Sequence, residues 1–134
     1  MGGLPEPGLL VSLRKLRIII MNAIFVELPA FQRHRERYLD DAAQLELQLL
    51  LMNNPEAGRT IPAGGGLRKL RFPDPRRGKG KRGGLRVVYY WWQDGLQFWL
   101  FTVYDKDEMS DLSSPQRDKL RTMVKAELET RRKS

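Results

Sequence analysis

Apolar residues alternate with polar ones in some stretches of the chain and recur at helical spacing in others, and the switches between the two periods outline its elements. Ile24-Phe-Val-Glu-Leu28 is a short β-rich run stopped by Pro29. A proline suits the first turn of a helix, so a strand followed by a helix through Tyr38 is expected. Asp41 with Gln44 three residues on resembles a capping box, and the cluster Leu45, Leu47, Leu49, Leu50, Leu51 and Met52 predicts a second helix ending near Asn53-Asn-Pro55. The two helices would pair as a hairpin. Residues 55–66 are rich in Gly and Pro without a period, which makes them a loop leading into a strand at about 67–72. Leu85-Arg-Val-Val-Tyr-Tyr-Trp-Trp92, the turn signal Asp94-Gly95 and the run from Leu96 to Tyr104 predict a β-hairpin at the core of a sheet. Ser114 as N-cap and Pro115 at the first helical position open a last helix, whose buried face is marked by Leu120, Val124 and Leu128 and which runs to about Arg131. The order strand, two helices, three strands, helix predicts an α+β fold: an antiparallel-rich sheet with the helices packed on it.

No internal boundary divides this pattern, and 134 residues suit one domain with a modest core. The domain is expected over residues 21–134, with residues 1–20 an N-terminal extension or a start-site artefact. Leu9-Leu-Val-Ser-Leu13 is too short to span a bilayer, and Arg14, Lys15 and Arg17 break the apolar run, so neither a membrane span nor a standard signal peptide is read here.

Composition narrows the chemistry. With no Cys and a single His, zinc, iron–sulfur and thiol chemistry have almost no ligands to draw on, and no metal or other cofactor is expected. A cytoplasmic location fits a chain without disulfides. The net charge of +8 and an isoelectric point near 10.1 point to a polyanionic partner. Nucleic acid is favoured over a membrane surface, because the charge sits among Gly and Pro rather than on an amphipathic helix.

That charge is concentrated. Arg68, Lys69, Arg71, Arg76, Arg77, Lys79, Lys81, Arg82 and Arg86 fall within nineteen positions that contain one acid, Asp74. A solvated loop that serves only solubility would account for the part between the strands. Lys69, Arg71 and Arg86, however, lie within strands, where the two-residue alternation puts Lys69 and Arg71 on one face and Arg86, Val88 and Tyr90 on one face. If the two faces coincide, several cations converge on one patch able to bind a phosphodiester and stabilise an oxyanion. Gly78-Lys-Gly-Lys-Arg-Gly83 matches the spacing of a dinucleotide-binding loop, but a strand follows it where that motif needs a helix. Most of the aromatic residues of the hairpin are expected in the core; Tyr90 and Tyr104 are the ones picked to stack on bases. His34, flanked by Arg33 and Arg35 on a helix, reads as a surface residue away from the patch. A nuclease built here must therefore use other groups, and lysine has a route to proton transfer, since crowded like charges favour the neutral amine, with arginine neutralising the transition state. Asp105, Asp107, Glu108 and Asp111, around Lys106, are read as the acidic approach to a helix rather than as metal ligands.

Four segments together resemble the RelE/HigB-like toxins of bacterial type II toxin–antitoxin pairs, in particular the HigB-like branch: Phe25-Val-Glu, Gly65-Gly-Leu-Arg-Lys-Leu-Arg71, Gly78-Lys-Gly-Lys-Arg-Gly-Gly-Leu-Arg-Val-Val-Tyr-Tyr90 and Tyr104-Asp-Lys-Asp-Glu-Met-Ser-Asp-Leu112. The resemblance covers roughly Asn22 to Arg131. It implies a small RelE-like fold and a metal-independent, ribosome-dependent endoribonuclease that cuts messenger RNA by attack of a ribose 2′-hydroxyl on the adjacent phosphate. By position it implies catalytic roles for Lys69, Arg71, Lys81, Arg86 and Lys106. Arg68, Arg76, Arg77, Lys79, Arg82, Tyr90 and Tyr104 would hold RNA. The C-terminal catalytic tyrosine of some relatives would fall near Leu112 or Ser113, where this chain has none, so the general base is left to a lysine such as Lys81 or Lys69. The resemblance further implies a helix-turn-helix antitoxin of the HigA-like kind as partner, with operator DNA bound indirectly through it. The alternative is a non-catalytic RNA- or ribosome-binding module, which needs the same charge but no constellation. Direct DNA binding is weaker still, as no recognition helix is evident.

Overall fold

The computed structural model describes residues 23–77 and 84–132. The N-terminal extension and Lys79, Lys81 and Arg82 lie outside the described residues. The chain folds as α+β: β1 (Ile24–Glu27), α1 (Pro29–Tyr38), α2 (Asp41–Asn53), β2 (Arg59–Thr60), β3 (Arg68–Phe72), a 3-10 turn (Pro75–Arg77), β4 (Leu85–Trp92), β5 (Gln97–Asp105) and α3 (Ser114–Arg132). One sheet of order β1-β5-β4-β3-β2 holds all five strands, antiparallel except for β1, which lies parallel to β5.

Three details differ from the sequence reading. The loop after α2 contributes β2, a two-residue strand paired with Lys69 and Arg68 of β3. Its residues Arg59 and Thr60 are both polar, so no alternation could betray it. The cap of α2 is Asp40 rather than Asp41; its carboxylate accepts from the Ala43 backbone N–H at 2.7 Å. The cap of α3 is Ser113 rather than Ser114: its hydroxyl accepts from the Gln116 N–H at 3.2 Å, while the Gln116 side chain accepts from the Ser113 N–H at 2.8 Å. This is a reciprocal capping box, and it places Pro115 one position deeper in the first turn.

Strand alternation gives the sheet two apolar faces. On one, Leu70, Phe72, Leu85, Val87, Tyr89, Phe98, Leu100 and Val103 meet Phe31 and Tyr38 of α1 and Ala43, Leu47 and Leu51 of α2. The buried stripe of α2 repeats every four residues, which is why Leu45 and Leu49 of the same leucine-rich run are left exposed. Full burial of one such side chain is worth about 1.5–3 kcal/mol relative to exposure. On the other face, Val88, Trp99, Phe101 and Tyr104 pack against α3, whose contact residues include the expected Leu120, Val124 and Leu128.

A β-bulge divides the central hairpin. Val88 stands opposite Thr102 but Tyr89 opposite Leu100, so β5 carries one extra residue there. The extra residue shifts the alternation by one: Phe98 and Leu100 face α1 and α2 before the bulge, Val103 does so after it, and Tyr104 faces α3. At the turn, Leu96 adopts φ 53°, and a Cβ on Gly95 would lie 2.1 Å from the Trp92 ring, so glycine there makes room for the indole.

Candidate functional site

The two basic faces coincide. Leu70 and Phe72 of β3 are buried against α1 and α2, so Lys69 and Arg71 occupy the opposite face, which is also that of Val88 and hence of Arg86 on β4. Pairing makes Arg71, Arg86 and Tyr104 one row across three strands, because Arg71 is the partner of Arg86 and Arg86 the partner of Tyr104. Lys69 lies two residues along β3, beside Val88. Two arginines set opposite each other repel, and Arg86 Nη1 donates to the Leu85 carbonyl at 3.1 Å. The row grades from open to closed: Arg71 is exposed, whereas Arg86 and Tyr104 are 7% and 5% exposed.

The residues after β5 cover the closed end. Asp111 reaches back across the sheet so that its Oδ1 accepts from Lys69 Nζ at 2.8 Å. Glu108 is held by α1: the Tyr38 hydroxyl donates to its Oε1 and Arg37 Nη2 to its Oε2, both at 2.6 Å. The hydrogen bond from Lys69, helped by the Leu112 N–H and the field of Arg86, holds the Asp111 carboxyl below the usual carboxylate range. Burial, reinforced by the negative charge of Asp111 and opposed by Arg86, pushes the Tyr104 phenol up to about 12. The Tyr104 hydroxyl is also a buried polar atom with no hydrogen-bond partner among the described residues. It is protonated at neutral pH, so its O–H is available to donate a hydrogen bond.

An alkaline titration reads this directly. A tyrosine whose pKa is raised on folding contributes stability that is fully present below pH 10 and is lost as pH rises through its folded value. The phenolate absorbance of Tyr104 is expected to develop last, near pH 12, with thermal stability falling above pH 10. Tyr104→Phe removes that last step; a Tyr104 that ionises near pH 10 refutes the burial argument.

The remaining residues singled out by sequence separate into other places. Arg68 points to the opposite side of β3, where Nη1 donates to the Gly58 carbonyl at 2.8 Å and Nη2 lies 3.7 Å from Glu56. Its partners lie along the chain edge near β2, away from the row. Arg76 is committed to the fold: Nε and Nη2 donate to Asp74 at 3.0 and 2.8 Å, Nη2 also donates to Asp105 at 2.8 Å, and the guanidinium lies 4.7 Å from the Tyr38 ring centre. Arg77 ends the 3-10 turn. Tyr90 does share the face of the row; its ring stacks on Trp99 at 5.1 Å and its edge abuts Gly66, so one ring face and part of the edge are taken up by protein. Lys106 is exposed in the turn after β5, its backbone N–H donating to the Gly84 carbonyl at 2.9 Å.

Two features escaped the sequence reading. Asp111 and Glu108 are not merely an acidic lead-in to α3; each fastens the segment to a different element. Their partners are 42 and 70 residues away in the chain, so no local pattern carries the signal. His34 is half-buried and lines, together with Tyr104, Met109 and Leu120, a groove of about 570 Å³ between α1, β5 and α3. The histidine and the tyrosine thus open onto one space. Among the described residues, the carboxylates do not gather with His34 into a metal-binding group, and no helix is long and apolar enough to cross a membrane.

No protein-family model matches the sequence. Among solved structures, the chain is similar to the E. coli toxin RelE, seen as a double arginine-to-alanine mutant in the free state. Sequence identity is 15%, the match covers 66% of this chain and 87% of that one, and the TM-score is 0.45.

Proposed function

We propose that this chain is the toxin of a type II toxin–antitoxin pair and acts as a ribosome-dependent endoribonuclease on messenger RNA. The observation that carries the reading is the row Arg71, Arg86, Tyr104, with Lys69 beside it, on one face of one sheet. Charge alone would make a binder; a neutral phenol aligned with two guanidinium groups adds a proton donor. In the reaction the ribose 2′-oxygen bonds to the adjacent phosphorus and the bond to the departing 5′-oxygen breaks, leaving a 2′,3′-cyclic phosphate. Arg71 and Arg86 offset the charge that builds on the non-bridging oxygens, and the Tyr104 hydroxyl supplies the proton to the departing oxygen. The proton of the 2′-hydroxyl falls to a lysine: Lys69 once released from Asp111, or Lys81. The sequence resemblance extends the reading to a HigA-like helix-turn-helix antitoxin that neutralises the toxin and binds the operator.

Expression of residues 21–134 in a bacterium is expected to arrest growth and to leave mapped cuts in messenger RNA. Undiminished growth with intact transcripts would sink the proposal. The burial of Arg86 and Tyr104 beneath the segment after β5 favours a second reading, a non-catalytic RNA- or ribosome-binding module whose open cations, such as Arg71, do all the work.

A further inference from the structure

The Lys69–Asp111 ion pair lies on the sheet face that carries Arg71, Arg86 and Tyr104. Asp111 is a carboxylate delivered to a basic site by a segment fastened on both sides. Glu108 is tied to Arg37 and Tyr38 three residues before it, and the Ser113–Gln116 capping box starts α3 two residues after it. Between those anchors, Asp111 touches the sheet through Lys69 Nζ, while its Oδ1 also accepts from the Leu112 N–H. One carboxylate oxygen thus serves two donors, and the Tyr104 hydroxyl is left without a partner among the described residues. A phosphate, with more oxygens spread over a larger tetrahedron, can accept from more donors than this carboxylate does.

We infer that Lys69, Arg86 and the Tyr104 hydroxyl form a subsite for one phosphate group of single-stranded RNA, that Asp111 is its built-in occupant, and that RNA enters by displacing this carboxylate. The choice of RNA as ligand rests on the function proposed above; the subsite itself rests on geometry. The exchange is cheap, because the Asp111 side chain is 63% exposed and an exposed ion pair of this kind is weak. The segment that carries Asp111 also contributes Met109 and Leu112 to the apolar cluster that includes Tyr104, so the ion pair and this packing close the same end of the row. The site is thereby shielded until a stronger anion arrives.

The test compares the full chain with Asp111→Asn, which keeps the shape and the acceptor for Leu112. A labelled single-stranded RNA dodecamer is followed by fluorescence anisotropy over a range of salt concentrations. The variant is expected to bind roughly two- to five-fold more tightly, the worth of one exposed ion pair. Its slope of log affinity against log salt should steepen by about 0.7, the signature of one more phosphate contact on a single strand. Adding Lys69→Met should abolish both gains. In parallel, inorganic phosphate is titrated and the Tyr104 ring signals are followed by NMR, a readout that does not depend on RNA; they should move in Asp111→Asn at lower phosphate than in the parent. Unchanged affinity and slope in Asp111→Asn, or Tyr104 signals indifferent to phosphate, overturn the inference. Phosphate-sensitive Tyr104 signals in a chain that cuts no RNA would support the subsite and defeat the proposed nuclease. A parent chain that cuts RNA while Asp111→Asn binds it identically would do the reverse.

Discussion

Replacing Arg86 by alanine is expected to slow RNA cleavage by about 10²–10³-fold, the usual cost of removing one preorganised donor from a developing oxyanion. RNA affinity should fall only a few-fold, because one phosphate contact among several is lost. The separation between the two numbers is the point. Arg86 stands between Arg71 and Tyr104, and in the proposed reaction it would neutralise charge that exists only while the phosphorus is five-coordinate. A binding module spends the same guanidinium on ground-state phosphate, and its rate and affinity have no reason to part. Because Arg86 is buried, thermal unfolding of the variant must be measured first, and Arg71→Ala, at an exposed position in the same row, serves as the companion. Arg86→Lys should fall between parent and alanine, since it keeps the charge but not the fork of donors. Equal, modest losses of rate and affinity in Arg86→Ala would decide for the binding module.

Arg76→Ala is expected to do the opposite: it should lower stability by about 2–3 kcal/mol and leave RNA affinity within two-fold of the parent. The guanidinium sits between Asp74 and Asp105, each 1% exposed, and against the Tyr38 ring. Removing a cation from between two buried carboxylates costs most of the penalty for a broken buried pair, reduced here because Arg76 itself is one-third exposed. The melting temperature, followed by circular dichroism, should drop by about 10 °C. A variant with unchanged melting temperature and weakened RNA binding would return Arg76 to the binding surface that its place in the basic run implies.

Those two arginines show how far the chain could be read in advance. Arg86 was partly legible because a strand fixes direction: alternation put it on one face of β4 with Val88 and Tyr90, while the register that pairs Arg71 with Arg86 is what makes this the face of Lys69 and Arg71. Arg76 was not, because its role depends on Asp105 at the far end of another strand, 29 residues on. The same division runs through the fold. The hairpin of β4 and β5, the helix faces and the general order announce themselves through period. The two-residue β2, the parallel β1 and the bulge opposite Val88 are set by pairing with distant strands. Tyr90 and Tyr104 looked equivalent in the sequence, both aromatic and both near the basic row. The packed sheet gives one a stacked ring and the other a buried hydroxyl with no partner among the described residues.

The parallel pairing of β1 with β5 also governs when the molecule can exist during its own synthesis. Ile24 is matched to Gln97, and Glu27 to Leu100, so each residue of the first strand waits 73 residues for its partner to be made. The closing helix comes later again. A nascent chain that has emitted α1 and α2 holds the apolar side of a layer with no sheet to cover it, and loop closure over that separation is slow. The row from Arg71 to Tyr104 is likewise complete only once β5 is made, so no fragment that ends before β5 presents the complete face. A ribosome translating this message has therefore already made β5 before its product can assemble the surface proposed to act on ribosomes.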